Sequence, residues 1–134
     1  MANALYGKGR QKFLEGSIAW LTDDIKVSLV DTTAVYTVSI DVDEFFDDIA
    51  STIADSGNFA SKTSTLGVAD AADVTLTSVS GVQSEALVIW KDSGVAATSP
   101  LIAYLDTATG LPVTPNGTDI TITWSSGANK IFKL

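Results

Sequence analysis

The sequence contains no cysteine and no histidine. Without cysteine, the chain cannot form disulfide bonds, use a thiolate nucleophile or bind zinc through cysteine. Without histidine, it lacks the commonest general base, the serine–histidine–aspartate triad and the commonest metal ligand. Only carboxylates, lysine or tyrosine could carry catalysis, so the composition favours a protein that is not an enzyme. We expect no catalytic residue, no metal ligand and no cofactor.

Basic residues are scarce. Eight lysines and arginines stand against sixteen aspartates and glutamates, and the net charge is −8. An acidic chain repels phosphate backbones, so we expect no nucleic acid as a partner. No apolar run approaches the ~20 residues that cross a membrane, and the N-terminal stretch lacks the apolar core of a signal peptide. We therefore expect no membrane partner and a protein that stays in the cytosol until it meets its partner.

Short apolar runs separated by turn residues recur along the 134 residues. We predict strands at 25–31, 35–40, 73–80, 85–92, 101–106, 119–124 and 131–134, with 61–69 as an edge strand or a loop. The near-continuous apolar runs 85–92 and 101–106 indicate strands that are buried on both faces. The pattern predicts a mainly β fold, with residues 1–134 forming a single-domain β-sandwich or jelly-roll-like barrel.

The stretch "DVDEFFDDI" at 41–49 holds five acidic residues. Asp41 followed by Glu44 fits a helix capping box. Apolar residues then recur at a spacing of four, which is typical of one buried helix face: Phe45, Ile49 and Ile53. Asp47 and Asp48 fall off this stripe and are expected in water. The pattern predicts one short α-helix over about 42–54.

Calcium binding is the alternative for these acids. An EF-hand loop requires an acid or amide at its fifth position and a glycine at its sixth, and Phe45 and Phe46 stand there. The EF-hand is therefore excluded. A less regular metal site, or a pair of carboxylates in a pocket that would support an enzyme, remains an open alternative.

The three tryptophans raise the question of a carbohydrate platform. Trp90 lies inside an apolar run, and Trp124 continues the apolar face of Ile120 and Ile122. Both are therefore predicted in the core, because aromatic side chains dominate core packing. Trp20 is less constrained and is expected to be partly exposed.

Three stretches resemble a family of small virion proteins of tailed bacteriophages and prophages: "MANALYGKGRQKFLEGSIAW" (1–20), "DAADVTLTSVSG" (70–81) and "DTATGLPVTPNGTDITITWSSGANKIFKL" (106–134). The stretches "SEALVIWKDSG" and "TSPLIAYLDT" fit the same pattern, so the resemblance spans nearly the whole chain. Residues 41–66 contribute least to it.

The resemblance implies a non-enzymatic structural protein, first of all a capsid decoration or cement subunit on the outer head surface. It implies assembly in the cytoplasm of a bacterial host and location on the virion. The partners would be the major capsid protein or another virion protein, together with further copies of the chain in a homo-oligomer such as a trimer. A tail or neck component is the alternative within the virion. A carbohydrate-binding β-sandwich module is the alternative outside this class.

Residues 1–16 concentrate positive charge on an acidic chain. We predict either a short helix over about 8–15 or a basic arm that docks on the acidic surface of a neighbouring copy or of the capsid lattice. Apolar side chains would supply the anchors. The candidate interaction residues are Leu5, Tyr6, Lys8, Arg10, Lys12, Phe13 and Leu14. The alternative is that 5–16 caps one end of the fold.

Overall fold

The computed structural model describes residues 3–134, and antiparallel strands dominate it. One α-helix, α1 (Gly7–Leu14), and three short 3₁₀ turns, Phe46–Asp48, Thr65–Gly67 and Ala96–Thr98, complete the described elements. The strands are β1 (Ala4–Leu5), β2 (Ile25–Val30), β3 (Ala54–Asp55), β4 (Val68–Ala69), β5 (Val74–Leu76), β6 (Ala86–Lys91), β7 (Leu101–Leu105), β8 (Ile120–Ile122) and β9 (Phe132–Lys133).

A five-stranded sheet with the order β1-β7-β6-β2-β3 forms the centre of the fold. The longest pairing joins β2 to β6 over six residue pairs, from Ile25 opposite Lys91 to Val30 opposite Ala86. Two separate ribbons, β4–β9 and β5–β8, are also antiparallel. The predicted mainly β class is confirmed. Among residues 3–134 the strands do not close into a barrel.

The central sheet is buried on both faces. Along β6, Leu87 and Ile89 belong to one hydrophobic cluster, whereas Val88 and Trp90 belong to the other. This division follows from the strand period of two, which sends successive side chains to opposite faces. The prediction that 85–92 forms a strand buried on both faces is therefore confirmed.

Different parts of the chain cover the two faces. The first cluster is completed by Leu76 and Ile122 of one ribbon, by Ile131 directly before β9, and by Trp20 and Phe59. The second cluster is covered by Tyr6 and by the irregular segment 31–49, which contributes, among others, Tyr36 and Ile49. A long loop therefore takes the place that a second sheet would occupy in a regular sandwich.

The predicted helix over 42–54 is wrong. Only Phe46–Asp48 forms a single 3₁₀ turn, and the segment ends in β3. The backbone of Phe46 donates a hydrogen bond to the Ser99 carbonyl oxygen, and the Phe46 ring stacks on Trp90 at 3.8 Å between centroids. Tertiary contacts of this kind override a helical pattern of apolar residues. The helix propensity of the segment is low, because aspartates and β-branched residues are frequent in it.

The apolar stripe of that predicted helix is divided between the two clusters. Ile49 is buried in the second cluster, whereas Ile53 packs against the first and Phe45 is only half-buried. The predicted strand at 35–40 is also wrong, because Tyr36 to Ile40 form no ladder. The structure in turn contains two edge strands, β1 and β3, that the sequence pattern does not indicate.

The predicted N-terminal helix is confirmed as α1, which lies against β7. Gly9 makes this approach close, because a Cβ atom built there would lie 2.5 Å from the carbonyl oxygen of Leu101 and 3.2 Å from the Cα of Ile102. The opposing atoms belong to the backbone and cannot move aside. Glycine is therefore needed at this position. No helix within residues 3–134 has the length and apolar character to cross a membrane.

We predict that Gly9→Ala destabilises the fold by about 1–3 kcal/mol, the usual cost of forcing extra atoms into a packed contact. In an open helix the same change would be stabilising. The free energy of unfolding in urea checks this. Gly57→Ala is the control, because a Cβ at Gly57 meets nothing within 4 Å. Equal stability of both variants and the wild type would contradict the close contact.

Candidate functional site

The predicted anchor Tyr6 lies inside the fold. Its side chain is fully buried, and its hydroxyl lies 2.7 Å from the hydroxyl of Tyr36. Tyr36 in turn donates to Asp43 Oδ2 at 2.6 Å, so Tyr6 is the donor to Tyr36. The chain of three side chains fastens the N-terminal segment to the loop that covers the second cluster. Tyr6 cannot contact a partner while this packing is intact.

The basic side chains of the N-terminal segment mostly face acids of the same chain. Lys12 Nζ lies 2.8 Å from Glu44 Oε1 and 4.8 Å from the centre of the Phe45 ring. Arg10 is exposed and approaches Asp41 to 4.0 Å, a separation at which a surface pair contributes little. Lys8 is half-buried. The basic residues were predicted to meet acids on a neighbouring surface, but Lys12 and Arg10 face acids of their own chain.

The remaining candidate interaction residues differ in their exposure. Leu5 is half-buried opposite Ala103 in the central sheet and packs against the first cluster. Phe13 is half-buried, whereas Leu14 is 88% exposed. Residues 3–16 thus form an edge strand and a packed helix that cap one side of the fold, and residues 1 and 2 of the predicted arm lie outside the described residues. Docking of this segment on a partner stays a prediction.

The acidic stretch 41–49 is held by hydrogen bonds and ion pairs, not by a helix. Asp43 accepts hydrogen bonds from the Tyr36 hydroxyl and the Ser39 amide. Glu44 forms an ion pair with Lys12. Asp48 accepts hydrogen bonds from the amides of Glu44 and Phe45. Asp47 is exposed and makes no hydrogen bond or ion pair within residues 3–134. Within the same residues, no three acidic side chains converge in a way that could hold a metal ion.

An apolar groove of about 350 Å³ opens where α1, the loop after it and the β4–β9 ribbon meet. Its walls include Phe13, Trp20, Leu21, Ala69, Phe132 and Leu134. Three aromatic rings form one side: Trp20 lies edge-on to Phe132 at 5.2 Å, and Phe13 lies 6.1 Å from Phe132. The Trp20 ring is held in place because its indole N–H donates to the Thr63 carbonyl oxygen at 3.0 Å, and Phe132 packs against it. The groove is therefore preformed.

Four mostly exposed leucines lie on or next to the chain segments that line this apolar groove. Leu21 and Leu134 line it and are 54% and 56% exposed, Leu14 follows Phe13, and Leu66 lies between the lining residues Ser64 and Gly67. Within residues 3–134 these four are all of the leucines that are mostly exposed. Of these four, only Leu14 is among the interaction residues predicted from the sequence. An apolar residue in a Thr-Leu-Gly turn was the signal that could have directed attention to Leu66.

The tryptophans do not form an exposed platform. Trp20 is only 7% exposed, so the expectation that it is partly exposed is wrong. Trp90 is buried, and Trp124 packs against the first cluster, as predicted. Trp124 also lines a wider cleft of about 850 Å³ beside β8, where its indole N–H donates to the Ala72 carbonyl oxygen at 3.1 Å. Only one tryptophan therefore reaches a polar surface cleft.

No protein-family model matches the chain, and no curated protein sequence matches it significantly. The resemblance to phage virion proteins therefore rests on the sequence stretches quoted above, and what it implies about function stays a prediction.

We predict that the protein resists tyrosine ionisation. Burial is the largest cause that raises the pKa of all three tyrosines, Tyr6, Tyr36 and Tyr104, above the ordinary value near 10. Because the folded state keeps the protonated phenol, this contribution to stability is complete below about pH 10 and is lost as the pH rises further. Alkaline titration should show tyrosinate absorbance only together with unfolding by circular dichroism. Ionisation near pH 10 with an unchanged melting temperature would contradict the buried network.

We predict opposite outcomes for two neighbouring aspartates. Asp48→Ala should destabilise the fold by about 1–3 kcal/mol, because two backbone amides lose their charged acceptor. Asp47→Ala should change stability by less than about 0.5 kcal/mol, because Asp47 is exposed. Denaturant unfolding measures both. If calcium raises the melting temperature strongly and Asp47→Asn abolishes the rise, this stretch is a metal site instead.

Proposed function

We propose that this chain is a non-enzymatic structural protein of a tailed-phage virion, first of all a capsid decoration or cement subunit on the outer head surface. The observation that carries the proposal is one apolar groove with two mostly exposed leucines, Leu21 and Leu134, in its walls. Contiguous exposed apolar surface of this kind marks protein–protein contact sites. The resemblance of the quoted stretches to phage virion proteins indicates that such contacts would be made on a phage particle.

The backbone pairing of two outer segments supports a cementing role. In the central sheet β1 pairs with β7, and Asn3 accepts hydrogen bonds from the amides of Asp106 and Thr107. In one ribbon β9 pairs with β4, and the amide of Leu134 donates to the Gly67 carbonyl oxygen at 2.9 Å. A cement subunit transmits load through its contact surfaces, so segments that are tied into the fold in this way suit it.

The mechanism needs contact area and no reactive group. A rigid β-domain that lies across seams between capsid proteins adds buried surface that must be exposed before the shell can open. Because apolar surface buried in such contacts is unfavourable to expose again, many copies, each with a small contact, oppose internal pressure together. The acidic surface would favour a capsid face that presents lysine and arginine.

We predict that antibody raised against the purified chain labels the heads of particles from a lysate of the phage or prophage that encodes it. The physical reason is that a decoration subunit occupies the outer shell in many copies. Electron micrographs with gold-labelled antibody locate the protein, and quantitative gels of purified particles count it. Preimmune serum provides the control.

Two outcomes would contradict head decoration. Label confined to tails or necks, with a low copy number, would assign the chain to the tail or neck component instead. Purified particles without the chain would remove a virion role altogether.

A further inference from the structure

Leu66 is held out from the surface in an unfavourable conformation. It is 90% exposed, and its φ and ψ of 54° and 33° lie in the left-handed region. The amide of Val68 donates to the Thr65 carbonyl oxygen, and Gly67 also has a positive φ, 78°. This is the geometry of a type I′ turn, whose central positions are normally asparagine, aspartate or glycine. A leucine there is disfavoured both by its backbone and by its exposure to water.

The Leu66 turn stands at the tip of a hairpin beside the apolar groove. Thr63 and Asp70 exchange backbone hydrogen bonds at the base of this hairpin. Ser64 and Gly67, on either side of the turn, line the groove, and Leu66 itself stays out of it. The same face of the molecule therefore carries an apolar projection and, next to it, an apolar recess. Backbone strain of this kind is retained where surrounding contacts or function require it.

The recess is large enough for a leucine side chain. A cavity of about 150 Å³ lined by apolar residues binds benzene, and the apolar groove measures about 350 Å³. The fixed rings of Trp20 and Phe132 provide a rigid wall against which an incoming aliphatic group would pack. No rearrangement of the groove is required.

The charge of the segments around the groove affects which partner can approach this face. The three segments that surround the groove, 12–24, 62–70 and 130–134, contain four basic and four acidic residues: Lys12, Lys62, Lys130, Lys133, Glu15, Asp23, Asp24 and Asp70. They are neutral together, so the rest of the chain carries the whole net charge of −8. At physiological salt, charges farther apart than about 8 Å are largely screened. Two copies can therefore meet at this face without the repulsion they would meet elsewhere.

We propose that the chain pairs with a second copy of itself through this face, with Leu66 of each copy inserted into the apolar groove of the other. In a two-fold arrangement both copies use the same face. The projection of each copy then enters the recess of the other. The pairing explains why a leucine is kept at a turn position that favours asparagine. This pairing rests on the proposed function and identifies a second copy of the chain as the partner that occupies the apolar groove.

Sedimentation equilibrium of the full chain and of Leu66→Asn tests the pairing. Each dimer loses two buried leucines in the variant, so its dissociation constant should rise by about 100-fold or more. Asparagine suits the left-handed turn, so the melting temperature of the dilute variant should not fall. Leu66→Met, which keeps an apolar projection, should dimerise within a few-fold of the wild type.

Val42→Asn is the matched control, because Val42 is 71% exposed and does not line the groove. It should leave the dissociation constant unchanged. Apolar pairing should also persist at ~1 M salt, whereas an ion-paired interface would weaken.

Three results would overturn the pairing: a wild-type chain that is monomeric at every concentration, equal association of Leu66→Asn and wild type, or equal losses in Leu66→Asn and Val42→Asn. Immunolabelling of particles separates this failure from that of the proposed function. A monomeric chain that still labels phage heads contradicts only the pairing. A Leu66→Asn chain that associates normally but no longer binds particles would assign the groove to another virion protein.

Discussion

Burial of both faces of the central strands is the constraint on which the rest of this structure depends. Antiparallel sheets commonly leave one face in water, but β2, β6 and β7 carry apolar side chains to both sides. Each face must therefore be covered by other parts of the chain. The two ribbons cover one face, and the segment 31–49 with Tyr6 covers the other. The irregular elements of the fold are shaped by this requirement.

The covering segments also determine the surface. The loop over the second cluster has to be fixed without a ladder of its own, and the contacts from Tyr6 to Tyr36 and from Lys12 to Glu44 fix it. These contacts use the N-terminal segment, so its aromatic and basic residues serve the fold before any partner. The apolar groove lies on the other side, where α1 and the β4–β9 ribbon meet without filling the space between them. Surface available for a partner is thus a consequence of how the sheet is covered.

The strands were predictable where a local signal was sufficient. Runs such as 85–92 and 101–106 are so apolar that only a strand buried on both faces accommodates them, and β6 and β7 lie there. The short helix α1 was also indicated by its residues. The segment 42–54 was not predictable in this way, because its spacing of apolar residues fits one helix face equally well. Its real partners, Ser99 and Trp90, are about fifty residues away in sequence.

The sequence by itself determined the mainly β class, the buried strands and the absence of cysteine and histidine chemistry, because these depend on composition and on a period of two. Only the tertiary structure decided what the polar and exposed residues do. In the structure Tyr6, which was expected to be a surface anchor, is a buried hydrogen-bond donor, and Lys12 pairs with an acid of its own chain. The tertiary structure placed Leu66 beside a groove formed by residues from both ends of the chain. Contacts between distant segments leave no local pattern, so no window of sequence could contain them.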